Sequence, residues 1–289
     1  MAVLSCILVS RPDLSRLRRA IAPTIGLAAA ITLAGCVSGD GNSVDTGLRL
    51  DKAQGSSQNI ASLTQVVNAN PRDPQAYNVR GAAYGKSGQN AAALSDFNRA
   101  ISLNRNFAEA YANRGLILMR QGKFGEAARD YSAALRIRPD YDEAYVGRGD
   151  VYERAGRDRE ALLDYERAIQ LGTTDPRAFY QRGLVRQRQR NHAAAIEDFS
   201  KAISLADRQP QPYNARGLSY LAQGAQQNAL DDFNTALKLD SNYAEAWTNQ
   251  ALVYEARGDR KRAFKSFTRA MALKRDYQPA RDGANRTRG

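Results

Sequence analysis

Six aromatic side chains, Tyr77, Tyr111, Tyr145, Phe179, Tyr213 and Trp247, stand 34 residues apart without an insertion or deletion. A strict period of that length means that one supersecondary unit is copied along the chain. The units run 74–107, 108–141, 142–175, 176–209, 210–243 and 244–277. Position 8 of each is Gly81, Gly115, Gly149, Gly183 and Gly217, then Ala251, and positions 20 and 27 are always Ala. Position 24 is always aromatic: Phe97, Tyr131, Tyr165, Phe199, Phe233 and Phe267. Small residues at positions 8 and 20 let two antiparallel helices approach closely, and the aromatics at 4 and 24 fill the wider gaps. Position 15 is glycine in five units, where a turn between helices needs positive φ; Arg190 stands there in the fourth. Asp73-Pro74 and Asp175-Pro176 pair an N-cap residue with proline at the first helical position.

This pattern, over 204 of the 289 residues, closely resembles the tetratricopeptide repeat, a helix-turn-helix unit. The resemblance implies an all-α fold, a right-handed superhelical solenoid of six units in which each contacts only its neighbours. Residues 59–73 fit a degenerate half repeat that caps the first unit. Residues 278–289 form a short basic tail, expected to begin one more helical turn and to leave the last pair poorly covered, an open face that can support a homodimer.

The N-terminus carries a different signal. Arg11, Arg16, Arg18 and Arg19 precede Ile21 to Leu33, a mostly apolar run of 13 residues. That is too short to span a bilayer, which takes roughly 20 residues, but suits a secretory signal. It ends Leu33-Ala34-Gly35-Cys36, which resembles the lipobox of bacterial lipoproteins. The resemblance implies that 1–35 is removed and that Cys36 carries the lipid, palmitate included. Val37 follows Cys36 where an Asp would favour inner-membrane retention, so the expected location is the cell envelope, facing the periplasm, with the outer membrane preferred. Residues 36–58, rich in Gly, Ser, Asp and Asn, read as a flexible tether with a mean reach of about 25 Å. The two cysteines are Cys6 and Cys36, so neither a structural disulfide nor a thiolate metal site is expected.

Position 7 is Arg80, Arg114, Arg148, Arg182 and Arg216, then Gln250. Position 23 is Asp96, Asp130, Asp164, Asp198 and Asp232, then Ser266. The two residue types vanish together in unit six, which predicts structural Arg–Asp pairs within or between units.

In the family the first helices line a concave groove, notably through positions 2, 5, 9, 12 and 13. Carried over, position 9 gives Ala82, Leu116, Asp150, Leu184, Leu218 and Leu252; position 5 gives Asn78, Ala112, Val146, Tyr180, Asn214 and Thr248. Position 13 gives a basic row, Lys86, Arg120, Arg154 and Arg188. A groove lined by Leu116, Tyr180, Leu184, Leu218, Leu252 and these four cations suits a peptide or helix with apolar and acidic residues. Asn78 and Ala82 stand where a carboxylate clamp has Lys and Asn, which disfavours that subtype.

Catalysis finds little support. His192 is the single histidine, no nucleophile motif accompanies it, and no phosphate loop, zinc or cofactor motif is present. The expected protein is not an enzyme and holds no cofactor or metal. Net charge is +12, of which +9 lies beyond residue 35. That excess favours anionic partners, but the aromatics sit at core repeat positions rather than on a stacking platform, and export argues against nucleic acid. The plan resembles NlpI-type tetratricopeptide lipoproteins, which implies an adaptor for envelope enzymes such as peptidoglycan hydrolases. It is also similar to the pilotin lipoproteins of secretin and pilus systems. A polyanion- or lipid-binding envelope protein is the third reading.

Overall fold

The computed structural model describes residues 54–288, so the signal segment, Cys36 and the tether up to residue 53 lie outside the described residues. Helix α1 spans Ser57–Ala69, beginning inside the span assigned to the tether, and Ser56 caps it by accepting the Asn59 amide. Six pairs follow: α2 (Pro74–Lys86) and α3 (Asn90–Leu103), α4 (Ala108–Arg120) and α5 (Phe124–Ile137), α6 (Asp142–Arg154) and α7 (Asp158–Gln170), α8 (Pro176–Arg188) and α9 (His192–Leu205), α10 (Pro210–Ala222) and α11 (Gln226–Leu239), α12 (Ala244–Ala256) and α13 (Arg260–Leu273). Helix α14 spans Gln278–Thr287. Every described element is a helix, and none is long and apolar enough to cross a membrane.

Each first helix begins at position 1 of its unit, and in units one and four a capping residue marks the start. Asp73 and Asp175 accept the Gln75 and Arg177 amides at 2.9 Å, each followed by proline at the first helical position. Each first helix also stops the same way. In α2 the Gln89 amide reaches back to the Tyr84 carbonyl at 2.9 Å and Gly88 turns at φ +78°, a Schellman closure. The closure recurs in all six units, and in the fourth Arg190 carries it at φ +61°, the one non-glycine residue in that region among the described residues.

The interior repeats as the sequence does. All twelve alanines at positions 20 and 27 are fully buried, and the six rings at position 24 are at most 3% exposed. The position-8 glycines make room for these rings: a Cβ at Gly149, Gly183 or Gly217 would lie 2.6 Å from the ring of Tyr165, Phe199 or Phe233. Where the ring sits farther from its own unit, it leans on the next. A Cβ at Gly115 would stand 3.2 Å from Tyr131, whereas one at Gly147 would stand 2.5 Å away.

That second seat corrects the expectation for the C-terminus. Residues 278–289 do not merely begin a turn. Helix α14 packs on α13 and α12 and buries Ala280, Gly283, Ala284 and Thr287. A Cβ on Gly283 would fall 2.3 Å from Phe267, so only glycine admits this approach. The last helix pair is therefore covered, and the argument for a homodimer from an open end loses its basis.

The Arg–Asp pattern forms a ladder. Arg80 donates from Nε and Nη2 to both Asp96 oxygens at 2.7 and 2.8 Å, and Arg114–Asp130, Arg148–Asp164 and Arg216–Asp232 repeat this two-point contact. The carboxylates are 3–9% exposed at the side chain. The remaining guanidinium nitrogen, Nη1, crosses to the preceding unit: Arg114 to Asn98, Arg148 to Ser132 and Arg216 to Ser200, at 2.7–3.0 Å. The pairs thus lie within units, and the third contact joins neighbours. In unit six a neutral set keeps this connectivity, with Ser266 donating to Gln250 and Gln250 donating to Asn234, both at 2.7 Å.

Two measurements check this account. Arg190→Gly, which relieves a left-handed non-glycine residue, should raise stability by about 1 kcal/mol in urea denaturation; an unchanged or lower midpoint contradicts it. Arg148→Ala strands a buried carboxylate and should cost about 3–5 kcal/mol. Arg148→Gln with Asp164→Ser, the unit-six solution, should recover most of that loss.

Candidate functional site

The first helices of successive units touch one another, whereas second helices meet the next unit chiefly through its first helix. The first-helix layer is therefore the shorter, inner layer of the stack. This close approach buries most of position 5: Asn78, Ala112, Val146, Asn214 and Thr248 are at most 8% exposed. Asn113 donates to Asn78 and Asn249 to Asn214 across adjacent first helices at 3.0 and 2.9 Å. Position 5 is thus mostly a seam between units and not a groove lining. Tyr180 is the exception, half-buried and packed at 5.9 Å from the Phe199 ring.

At position 9, Leu116, Leu184, Leu218 and Leu252 are half-buried, packed below and open above. Tyr180 and Leu184 share a cluster with Phe199 and Ala215, and Leu218 joins Phe233 and Val253. Tyr243 adds a hydroxyl that accepts from Asn214 at 3.3 Å, and burial pushes its pKa up to about 12. Apart from Leu116, which stands in unit two, these side chains form an apolar stripe across units four to six.

The basic row of position 13 does not present four equivalent charges. Lys86 donates to the Gln54 side chain. Arg120 donates to the Gly85 carbonyl at 3.3 Å, where positive charge suits the end of α2. Arg188 pairs with Asp158 at 2.8 Å and approaches Glu153 at 3.7 Å. Arg154 is exposed and has no ion pair among the described residues. The dense segment Arg182 to Arg190 is likewise engaged, since Arg182 and Arg186 both hold Asp198.

Position 9 of unit three holds a group whose partners the sequence pattern did not reveal. Asp150 is 7% exposed; it accepts the Tyr165 hydroxyl at 3.0 Å and Arg177 Nη1 at 3.1 Å. Arg177 also pairs with Asp175 at 2.5 Å. Burial raises the Asp150 pKa, and the Arg177 charge opposes that rise without cancelling it. A signal existed: Asp150 interrupts an apolar column, and Tyr165 places a hydroxyl where four of the six units have Phe.

His192 begins α9 with its Nδ1 buried and without a hydrogen-bond partner. No group of three or more metal-capable side chains occurs among the described residues. The inner face offers shape, apolar surface and a few charges.

Because folded Asp150 keeps its proton to higher pH than the unfolded chain does, its contribution is present at acid pH and lost as pH rises through the raised pKa. Asp150→Asn should accordingly gain stability relative to the parent as pH rises above about 4, measured as melting temperature against pH. A difference that is flat or shrinks with pH would contradict this assignment.

Comparison with known proteins agrees with this geometry. Family models described as TPR repeat match residues 86–122, 115–156 and 217–258. Models described as tetratricopeptide repeat match 142–171, 176–208 and 246–280. No curated protein sequence matches. Among solved structures, Pseudomonas aeruginosa pilF superposes with a TM-score of 0.68 at 19% identity, over 74% of this chain and 97% of that one. YrrB, described as a TPR protein with an unusual peptide-binding site, gives 0.58 at 24% identity, over 65% and 97%. The Cut9–Hcn1 hetero-tetramer of APC/C gives 0.68 at 19% identity, over 83% of this chain but 48% of that one, so the chain spans about half the length of that relative. These likenesses show a shared all-α repeat fold, and the matching family models all describe the same repeat. Such repeats are scaffolds for protein–protein interaction. Together the family matches take in well over half of the sequence, and the chain belongs to the tetratricopeptide repeat family.

Proposed function

We propose that the protein is a lipid-anchored adaptor of the bacterial cell envelope that holds a partner peptide or helix on its first-helix face. The carrying observation is the half-open apolar stripe of Tyr180, Leu184, Leu218 and Leu252 on the inner layer of the solenoid. Such a stripe suits an apolar helix face or extended peptide, with anchors spaced by the successive units. Arg154, exposed and without an ion pair among the described residues, adds a preference for an acidic residue on the partner. Cys36, the apolar run before it and the basic segment before that support anchoring, with the outer membrane favoured by Val37. Two or more acyl chains are needed for a stable anchor, as each buried CH₂ contributes about 0.8 kcal/mol. Partners of this class are envelope enzymes, peptidoglycan hydrolases among them, or assembly machinery.

Two experiments test the reading in cells. Cys36→Ala should abolish palmitate labelling and move the protein from the membrane to the soluble fraction; retention in the membrane would remove the anchor. A photocrosslinker at Leu184 should give a discrete protein adduct, identified by mass spectrometry as a hydrolase, a protease or a secretin component. Adducts with lipid or polysaccharide alone would remove the adaptor.

A further inference from the structure

The chain's charge is gathered at one end. Residues 257–288 hold eleven Lys and Arg against three Asp, +8 of the +12 total. This segment builds α13 and α14, and one of its surfaces is unlike the corresponding surface of every other unit.

In units one, three and five, the position-7 guanidinium lies between the aromatic rings at positions 4 and 11. Arg80 stands 5.7 and 5.8 Å from the Tyr77 and Tyr84 centroids, Arg148 5.6 and 5.8 Å from Tyr145 and Tyr152, and Arg216 5.7 and 5.9 Å from Tyr213 and Tyr220. Unit six keeps both rings, Trp247 and Tyr254, but has no guanidinium to set between them. Gln250 is drawn down to Asn234 and Ser266, and a pocket of about 340 Å³ opens above it. Trp247, Gln250 and Tyr254 line one wall, at i, i+3 and i+7 on α12, the face opposite Leu252. The other wall is α13, with Arg262, Lys265 and Arg269 around the rim. Arg262 is held by Asp259 and lies 4.8 Å over the Tyr254 ring. Lys265 and Arg269 are exposed and make no hydrogen bond or ion pair to another described residue. Trp247 is fixed in place, since its Nε1 donates to the Ser241 carbonyl at 3.0 Å.

Two kinds of group fit between a pair of aromatic rings: a cation, as in the other units, or an apolar side chain. Charge decides between them. Ser266 has replaced the carboxylate that balances the guanidinium elsewhere, and Lys265 and Arg269 stand at the opening without an acidic partner, so an incoming cation meets repulsion. We infer that the α12–α13 pocket is a second docking site, distinct from the first-helix face, for an acidic peptide segment of a partner protein that inserts an aromatic or aliphatic side chain between Trp247 and Tyr254. Neighbouring carboxylates of that segment lie on Lys265 and Arg269. The exposed surface of the pocket is mostly apolar, which suits a side chain better than a phosphate group.

The chain's only tryptophan is Trp247, so occupancy has a built-in reporter. The full chain is titrated with a peptide bearing one Phe flanked by two Asp and Glu on each side, and Trp247 emission is followed. The expected result is a saturable change, weakened about tenfold or more by Lys265→Glu with Arg269→Glu and by Phe→Ala in the peptide, and reduced by salt. Both altered residues are exposed, and unchanged melting of the variant verifies its fold. Leu184→Ala should leave this titration intact, which separates the site from the first-helix face. The inference is overturned if the emission does not respond, if a lysine-flanked peptide is bound equally well, or if vesicles of phosphatidylglycerol give the response and the acidic peptide does not.

Discussion

The seating of one aromatic ring between helices is the constraint on which the rest of this molecule depends. Each position-24 ring needs a neighbour without a side chain, either in its own unit, as Gly149 is for Tyr165, or in the next, as Gly147 is for Tyr131 and Gly283 for Phe267. Buried rings contribute large apolar areas, and here that area is obtained at one repeating spot. The fully buried alanines at positions 20 and 27 then set how close the helices come. The inner face is a by-product of this arrangement. Because the first helices approach each other, position 5 closes into a seam while position 9 remains half open.

Much of this was legible in the sequence, since the period is itself a physical statement about copied contacts. The phase of the repeat fixed where first helices start, and the joint loss of Arg and Asp in unit six pointed to a contact between them. Whether that contact lay within or between units could not be read. Asn98 and Asp130 both stand sixteen residues from Arg114, on either side, and one guanidinium binds both. Helix α14 was hidden for another reason. Its sequence, QPARDGANRT, is polar, and it packs through Ala280, Gly283 and Ala284, whose contribution is closeness and not apolar bulk. The inner face was legible in outline only. Spacing identifies the column on which Asp150 stands, but its partner Arg177 comes from the next unit and is brought there by the stack.

The inner and outer faces divide the chemistry. Apolar surface with sparse charge lies on the first helices of units four to six, while the charge excess gathers on α13 and α14. A polypeptide engaging both would run around the C-terminal end of the solenoid, its acidic part outside and its apolar part within. Separation of this kind lets attraction at a distance and fit at contact be supplied by different residues.

The ladder's third contact also says how the array transmits load. Guanidinium Nη1 groups tie unit two to one, three to two and five to four through hydrogen bonds, the last two partly buried. Position 25 of unit three is Glu166, and Arg182 makes no such bond to it; Arg186 joins Arg182 on Asp198 instead. The polar ties between units three and four include Arg177–Asp150 and Arg188–Asp158, whose arginine side chains are 52% and 46% exposed. Exposed pairs weaken as salt screens them. Apolar packing still closes this junction, with Val146 and Ala168 of unit three clustered with Ala178 and Phe179 of unit four, so salt can loosen its polar ties while its core stays joined.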